Sequence, residues 1–146
     1  MSMFGAIDAS ASGLTAERLR MDVISNNIAN ANTTRTVDGG PYKRKIVTFE
    51  ERDNQGVNSF SQILYKKLKT GSGVRATGIV EDGAPGKLVY DPNHPDANKD
   101  GYVELPNLNI VSEMVDMITA TRAYEANTTA INSAKSMAMK ALDIGK

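Results

Sequence analysis

The sequence predicts an α+β fold in which two long helices at the chain ends flank a small β-rich insert. Apolar residues recur at steps of three and four near both termini, which is the spacing of one face of a helix. Residues 35–105 contain nine of the twelve Gly and four of the five Pro, and the fifth, Pro106, follows directly. This density of helix breakers excludes long helices from the middle of the chain. We therefore divide the chain into an N-terminal helical segment (1–34), an insert with connectors (35–105) and a C-terminal helical segment (106–146).

The N-terminal helix is predicted from a heptad pattern with one strong aliphatic position in each repeat. The strong positions are Ile7, Leu14, Met21 and Ile28, and the weak ones are Phe4, Ala11, Arg18 and Ser25. No Pro occurs before residue 41. We therefore expect a helix of roughly 25 residues, about 38 Å long at 1.5 Å per residue.

An asparagine-rich run, Ser25–Thr34, follows the last strong position of this seam. Asn is a poor helix former because its side chain competes for backbone hydrogen bonds. The run is compatible with a frayed helix end that contains turn-forming Asn. It is equally compatible with amides that bridge neighbouring helices in a packed array, since each amide can both donate and accept hydrogen bonds.

The insert has strand character over Tyr42–Phe49, Val74–Val80 and Lys87–Tyr90. Residues 81–86, with two Gly and one Pro, indicate a turn between the last two strands. Residues 59–68 fit a short amphipathic helix and a strand equally well, because their periodicity does not separate the two.

Residues 91–104, DPNHPDANKDGYVE, begin like a calcium loop, with oxygen-bearing side chains at Asp96, Asn98 and Asp100. Such a loop needs a bidentate Glu at position 12, and counting from Asp96 puts Asn107 there. We interpret the stretch as an Asx-rich connector that turns the chain back towards the C-terminal helix. A calcium-binding module is the remote alternative. The connector is also a candidate contact loop between subunits, formed by Asp91, His94, Asp96, Asp100 and Tyr102.

The C-terminal helix is predicted by a second series of three- and four-residue steps. Pro106 marks its entry, Asn109 or Ser112 can cap its start, and neither Pro nor Gly occurs between Asn109 and Ile144. The main seam positions are Ile110, Met114, Met117, Tyr124, Ile131 and Leu142.

Both helices carry apolar residues outside these seams, and so wide an apolar stripe requires further neighbours. The residues concerned are Leu19, Val23, Ile24, Val111, Val115, Ile118 and Met139. We hypothesise that other copies, or related chains, supply these neighbours in an assembly.

The composition argues against several functions. Seventeen basic residues balance seventeen acidic ones, so binding to a nucleic-acid backbone is not expected. The chain has no Cys and a single His, His94, and no motif of nucleophilic or phosphate-binding chemistry, so we predict no catalytic, cofactor-binding or metal-binding residues. Neither a secretory signal nor an apolar run of about 18 residues is present, so no membrane span is expected.

Two segments carry a family resemblance. Asn26–Thr33, NNIANANT, resembles the N-terminal signature of bacterial flagellar rod and hook proteins, and Glu113–Asn127, EMVDMITATRAYEAN, resembles their C-terminal signature. Within that family, Gly39–Arg44 and Leu88–Val103 resemble members of the proximal rod, and the resemblance covers nearly the whole chain. A distal rod or hook-family axial protein is the alternative, although such chains usually carry a longer middle portion.

The resemblance implies a structural subunit, not an enzyme, of the proximal rod of the flagellar basal body, which is the drive shaft that transmits torque. It implies terminal helices that are largely disordered in the monomer and pack as a coiled coil in a helical assembly. The implied partners are further copies, other rod proteins, the basal ring or rod adaptor protein at the base, and the flagellar type III export apparatus. Export without a cleaved signal peptide would place the chain in the rod that spans the periplasm.

The residues expected at the assembly interface lie in the two signatures and on the two seams. They are Ile7, Leu14, Met21, Asn26, Asn27, Ile28, Asn30, Asn32, Thr33, Ile110, Met114, Met117, Arg122, Tyr124, Asn127, Ile131 and Leu142.

Overall fold

The structure is a computed structural model that describes residues 3–37, 39–52 and 73–144. It confirms the predicted α+β class, with one long helix near each end and two small two-stranded sheets between them. Residues 59–68, which the sequence left open, lie outside the described residues. The elements are α1 (Met3–Ala29), β1 (Lys45–Glu51), β2 (Val74–Glu81), β3 (Lys87–Tyr90), β4 (Tyr102–Leu105) and α2 (Ile110–Ile144).

The chain forms two compact units, and both helices contribute to each. The first unit comprises Met1–Arg18, Phe49–Thr77 and Thr121–Lys146, and the second comprises Leu19–Thr48 and Gly78–Ala120. No helix among the described residues is long and apolar enough to cross a bilayer.

Both helices agree with the sequence in position and length. Helix α1 has 27 residues, close to the roughly 25 expected. Helix α2 has 35 residues and contains no Gly or Pro, which allows it to continue without a break. Asn109 caps its start, because the Asn109 Oδ1 accepts a 3.0 Å hydrogen bond from the backbone N–H of Val111.

In the first unit, Ser12 of α1 is bonded to the beginning of β2. Its hydroxyl donates to the carbonyl of Ala9 at 2.7 Å and accepts from the backbone N–H of Val74 at 3.0 Å. Gly13, on the same helix, lies against the side chain of Asn127 of α2, so closely that an added Cβ would lie 2.9 Å from Asn127 Nδ2. The absence of a side chain at Gly13 therefore permits this contact between the helices.

The predicted start of the first strand, Tyr42, is wrong. Strand β1 starts at Lys45 rather than Tyr42, because the backbone N–H of Tyr42 donates to the carbonyl of Thr33 and its side chain is buried. The end of β2 extends one residue beyond the predicted Val80, and β3 has the predicted bounds. Strand β1 pairs with β2.

The interpretation of residues 91–104 as a connector is wrong for its last three residues, Tyr102, Val103 and Glu104, which belong to strand β4. This strand pairs antiparallel with β3 and places Tyr90 opposite Tyr102. Their rings meet edge to face with centroids 5.2 Å apart, and Val103 is buried on the other face. The alternation of buried and exposed residues is too short in β4 to be recognised without its partner.

The Asx-rich turn is confirmed for residues 91–101. The Asn98 Oδ1 accepts hydrogen bonds from the backbone N–H groups of Asp100 and Tyr102, and the Asp91 Oδ1 accepts from that of Asn93. Gly101 has φ of +79°, the left-handed conformation that favours Gly. The Asn98 amide oxygen is thus committed to the fold of the loop.

The apolar core of the described residues is small, as the low aromatic content predicts. Val23 and Ile24, which the sequence placed off the seam, are buried within the chain, whereas Val111, Val115, Ile118 and Met139 are exposed. The buried hydrophobic residues are Ala16, Val23, Ile24, Tyr42, Val103, Ala120 and Ala134.

Candidate assembly interface and the buried polar cluster

A polar cluster in the second unit joins the end of α1, the segment before β1 and the first turn of α2. It consists of Asn27, Tyr42, Arg44, Lys45 and Glu113. Asn27 and Glu113 are each 1% exposed and have the largest fully buried side chains in the described part of the chain. Groups this polar stay buried only when their hydrogen bonds are made.

Asn27 makes four hydrogen bonds from its amide. Its Oδ1 accepts from the backbone N–H of Lys45 and from the hydroxyl of Tyr42, both at 3.0 Å. Its Nδ2 donates to the carbonyl of Lys45 at 2.8 Å and to Glu113 Oε2 at 3.0 Å. The amide therefore bonds both backbone groups of Lys45, as a neighbouring strand would, and explains why β1 begins there.

Glu113 is held by charge as well as by Asn27. Its Oε1 accepts a 2.7 Å hydrogen bond from Arg44 Nε and lies 2.6 Å from Arg44 Nη2. Arg44 Nη2 is also 3.5 Å from Asp116, which lies 3.7 Å from Arg20 of α1. Two guanidinium groups thus face two carboxylates, so Glu113 and Asp116 each have an opposite charge beside them.

Tyr42 takes part in the cluster as a neutral phenol. Burial raises its pKa above the ordinary 10.0, and the negative charges of Glu81 and Glu113 raise it further. Its hydroxyl consequently remains a donor to Asn27 at any pH near neutrality. The ring also lies under the ammonium of Lys45, whose Nζ is 5.9 Å from the ring centroid.

The other signature Asn residues have different surroundings. Asn30 Nδ2 donates to the carbonyl and to Oδ1 of Asn26, and Asn30 Oδ1 accepts from the hydroxyl of Thr33. These bonds close the end of α1, while Asn32 is exposed. Within the chain, Asn27 bridges to another helix, and Asn26 and Asn30 complete the helix end. Bridging by these amides in a packed array stays a prediction.

The seam residues of the two helices differ in exposure. The four strong seam positions of α1 are half-buried, whereas several of the seam positions of α2 are exposed. The half-buried interface candidates are Ile7, Leu14, Met21, Ile28, Met117, Asn127 and Ile131, and the exposed ones of α2 are Ile110, Met114, Arg122, Tyr124 and Leu142.

An apolar strip on α2 consists of Val111, Met114, Val115 and Ile118. Their exposed fractions run from 54% to 69%. The spacing i, i+3, i+4, i+7 places them on one side of the helix, and the buried residues Glu113 and Ala120 lie on the opposite side. The beginning of α2 therefore has a covered face and a second, uncovered apolar face.

The candidate contact loop is bonded to the segment that follows α1. Thr34 donates its hydroxyl to Asp96 Oδ2 at 2.8 Å, and the backbone N–H of Asp96 donates to His94 Nδ1 at 3.1 Å. Asp91, Asp100 and Tyr102 are exposed. The Asp96 carboxylate therefore already bonds a residue far along the same chain.

Sequence reasoning did not single out Tyr42, Arg44 or Asp116. Arg44 and Tyr42 fall in the Gly39–Arg44 motif and Asp116 in the C-terminal signature, so the motifs contained them without indicating their roles. Tyr42 pairs with a side chain 15 positions away, and Arg44 pairs with side chains 69 and 72 positions away, which periodicity within one element cannot detect.

Two terminal helices joined between their signature segments, with an uncovered apolar side, are the architecture expected of an axial flagellar protein, and comparison with known families shows that class. Residues 7–35 match the family Flagella basal body rod protein, and residues 99–144 match the family Flagellar basal body rod FlgEFG protein C-terminal. The chain belongs to the FlgC family of flagellar basal-body rod proteins, which are structural proteins.

Curated relatives match the chain over its whole length. It is 54% identical to the flagellar basal-body rod protein FlgC of Borreliella burgdorferi, over 99% of this chain and 98% of the relative. It is 48% identical to FlgC of Bacillus subtilis and 38% identical to FlgC of Escherichia coli O157:H7, each over 100% of both chains. The insert between the two family matches is thus also shared with these relatives.

Proposed function

We propose that this chain is a structural subunit of the proximal rod, in which copies assemble helically through their terminal helices and transmit torque. The uncovered apolar strip of α2 is the observation that supports this most directly. Covering a side chain such as Val115 or Ile118 stabilises by about 1.5–3 kcal/mol relative to full exposure. Val115 and Ile118 are 58% and 60% exposed, so an assembly that covers the strip gains the corresponding share of this contribution in every subunit.

The proposed assembly interface is formed by faces of the two terminal helices. In this proposal the segments 1–34 and 106–146 form the packed helical layers, with the seam and signature residues at their contacts, and the segment 35–105 lies outside them. Close-packed helical layers resist deformation, as a drive shaft requires. Full-length similarity to FlgC proteins supports this assignment over a distal rod or hook-family protein.

The partners proposed are copies of this chain, other rod proteins, and the basal ring or rod adaptor at the base. The chain would reach the periplasm-spanning rod through the type III export apparatus, without a cleaved signal peptide. A structural subunit of this kind needs no catalytic chemistry, so we propose that the chain is not an enzyme.

A deletion strain tests the proposal. The gene is removed from its own bacterium and the envelope is imaged by electron cryotomography, where basal rings without a rod are expected. The intact gene should restore the rod, and a gene carrying Val115→Asp and Ile118→Asp should not, because two carboxylates in a covered apolar interface lose their hydration.

The matched control is the double variant Val115→Leu, Ile118→Leu, which changes the same two positions and keeps the strip apolar. It should restore the rod. Complete flagella in the deletion strain would overturn the proposed function. Restoration by the Val115→Asp, Ile118→Asp gene would instead reject the strip as an interface.

A further inference from the structure

We propose that Met114 is a redox-sensitive modification site, at which oxidation of the sulfur to the sulfoxide keeps a subunit out of the rod. The inference rests on the proposed function, because it requires that assembly covers the apolar strip. The sequence has seven Met and no Cys, so methionine supplies all of the sulfur in the chain. Reversible oxidation of sulfur in this chain can therefore occur only at Met.

The Met114 side chain is open to an oxidant before assembly. Met114 is 54% exposed on the folded helix α2. If the C-terminal segment is disordered in the free chain, the sulfur is more accessible still. Access to the sulfur therefore does not depend on pairing of the two terminal helices. Assembly removes this access, because Met114 lies between Val111 and Ile118 in the strip that becomes covered.

The neighbours of Met114 on the helix cannot bond a sulfoxide. Side chains three and four residues away lie beside a helical residue. For Met114 these are Ile110, Val111, Met117 and Ile118, which are all apolar. A sulfoxide is polar, and covering it among these side chains removes its hydrogen bonds to water without replacing them.

Two other exposed methionines of α2 have different neighbours. Met137 and Met139 are 60% and 55% exposed, so an oxidant reaches them as readily as it reaches Met114. The side chains three or four residues from these two methionines include hydrogen-bond donors, which are Ser133, Lys135, Ser136 and Lys140. Hydroxyl and ammonium groups can donate to a sulfoxide oxygen, so a packed layer can accept oxidation there. Met114 is distinguished by its surroundings rather than by its exposure.

The modification is a transfer of one oxygen atom from hydrogen peroxide. The O–O bond breaks, one oxygen bonds to the Met114 sulfur, and the other leaves as water. The sulfur is oxidised by two electrons and the peroxide is reduced by two. Methionine sulfoxide reductases reverse the modification, so a repaired subunit becomes competent for assembly again.

The first measurement is made on the purified full-length chain, treated with hydrogen peroxide and analysed by mass spectrometry. Met114 should be converted to the sulfoxide at a rate comparable with the rates at Met137 and Met139. A Met114 that stays unmodified while the other two react would overturn the inference, because the site would not be accessible.

A polar substitution then tests the effect on assembly. Gln is uncharged and about as long as Met, so it stands in for the sulfoxide. In the deletion strain, Met114→Gln should leave basal rings without a rod in electron cryotomograms, whereas Met114→Leu should restore the rod. The matched controls Met137→Gln and Met139→Gln should also restore it, at equal cellular amounts of each chain. Restoration by Met114→Gln would overturn the inference, and so would failure of both controls, because any polar change on α2 would then be enough.

Peroxide tests the same site without a polar substitution. Two strains without sulfoxide reductases, one with the intact chain and one with Met114→Leu, build rods in a concentration of hydrogen peroxide that both survive. The number of rods per cell should fall at least about threefold more with the intact chain, because Leu has no sulfur to oxidise. Equal losses in the two strains would overturn the inference. The proposed function is tested separately, by the deletion strain and the intact gene without peroxide, so the two failures are distinguishable.

Discussion

The buried amide of Asn27 donates a 3.0 Å hydrogen bond to the carboxylate of Glu113, 86 positions along the chain. This bond joins the N-terminal signature segment to the C-terminal one inside a single subunit. Each partner is 1% exposed, so neither can exchange the bond for one to water without opening the structure. Several measurable consequences follow from this arrangement.

Asn27→Ala should lower the free energy of unfolding by about 2–4 kcal/mol, because it leaves buried donors and acceptors without partners. Urea denaturation followed by circular dichroism measures the change. Asn26→Ala, which removes an exposed amide from the next position, should change it by less than about 0.5 kcal/mol. Equal effects of the two substitutions would contradict the larger contribution of the buried Asn27 amide to stability.

The ion pair of Arg44 with Glu113 should be coupled far more strongly than a surface pair. The side chains of Arg44 and Glu113 are 29% and 2% exposed, whereas those of Arg122 and Glu125, 3.0 Å apart, are 78% and 57% exposed. Double-mutant cycles with Arg→Met and Glu→Gln should give about 1–3 kcal/mol for the first pair and at most about 0.5 kcal/mol for the second. Similar coupling in both cycles would show that burial does not strengthen the pair.

Stability should fall at alkaline pH because of Tyr42. Its pKa is raised in the folded chain above the ordinary 10.0, so its contribution is complete below about pH 10 and is lost as the pH rises through the folded value. Tyr42→Phe cannot ionise, so its unfolding free energy should fall less between pH 8 and pH 11. The two proteins differ only in this hydroxyl, so the difference between their profiles isolates Tyr42. Parallel pH profiles would contradict the buried position of the phenol.

Gly13→Ala should be nearly neutral in the intact chain and stabilising when Asn127 is shortened. Ala favours a helix over Gly by about 1 kcal/mol, but its Cβ would lie 2.9 Å from Asn127 Nδ2, which donates to the carbonyl of Ala123. In an Asn127→Ala background the obstruction is gone, and Gly13→Ala should raise the free energy of unfolding by about 1 kcal/mol. Thermal denaturation of the four proteins tests this, and additive effects would disprove the contact.

Separate substitutions of Asp96 and Asp100 should distinguish a role of the loop in folding from a role in subunit contact. Asp96→Lys loses the hydrogen bond from Thr34 and should cost about 1 kcal/mol of stability. Asp100→Lys changes an exposed side chain and should alter stability by less than about 0.5 kcal/mol. If the loop contacts a neighbouring subunit, Asp100→Lys should still reduce swimming motility, and normal motility would place Asp100 outside any contact.

Local chemistry was sufficient to predict much of the architecture. The heptad steps, the cap at Asn109 and the absence of Pro and Gly after it determine α2, because helix formation depends on neighbours three and four residues away. The Asx residues of the loop likewise act on backbone groups two to four positions on. Both kinds of prediction use information contained within one segment.

Only the tertiary structure decided which polar residues meet. The Asn-rich run allowed several roles, and folding gave the bridging role to Asn27, which it buried against Tyr42, Lys45 and Glu113. Strand β4 likewise needed β3 beside it to be recognised. The sequence by itself determined the elements and the family resemblance, because both reside in short-range patterns. The cluster depends on contacts between residues 15 to 86 positions apart, which no local pattern encodes.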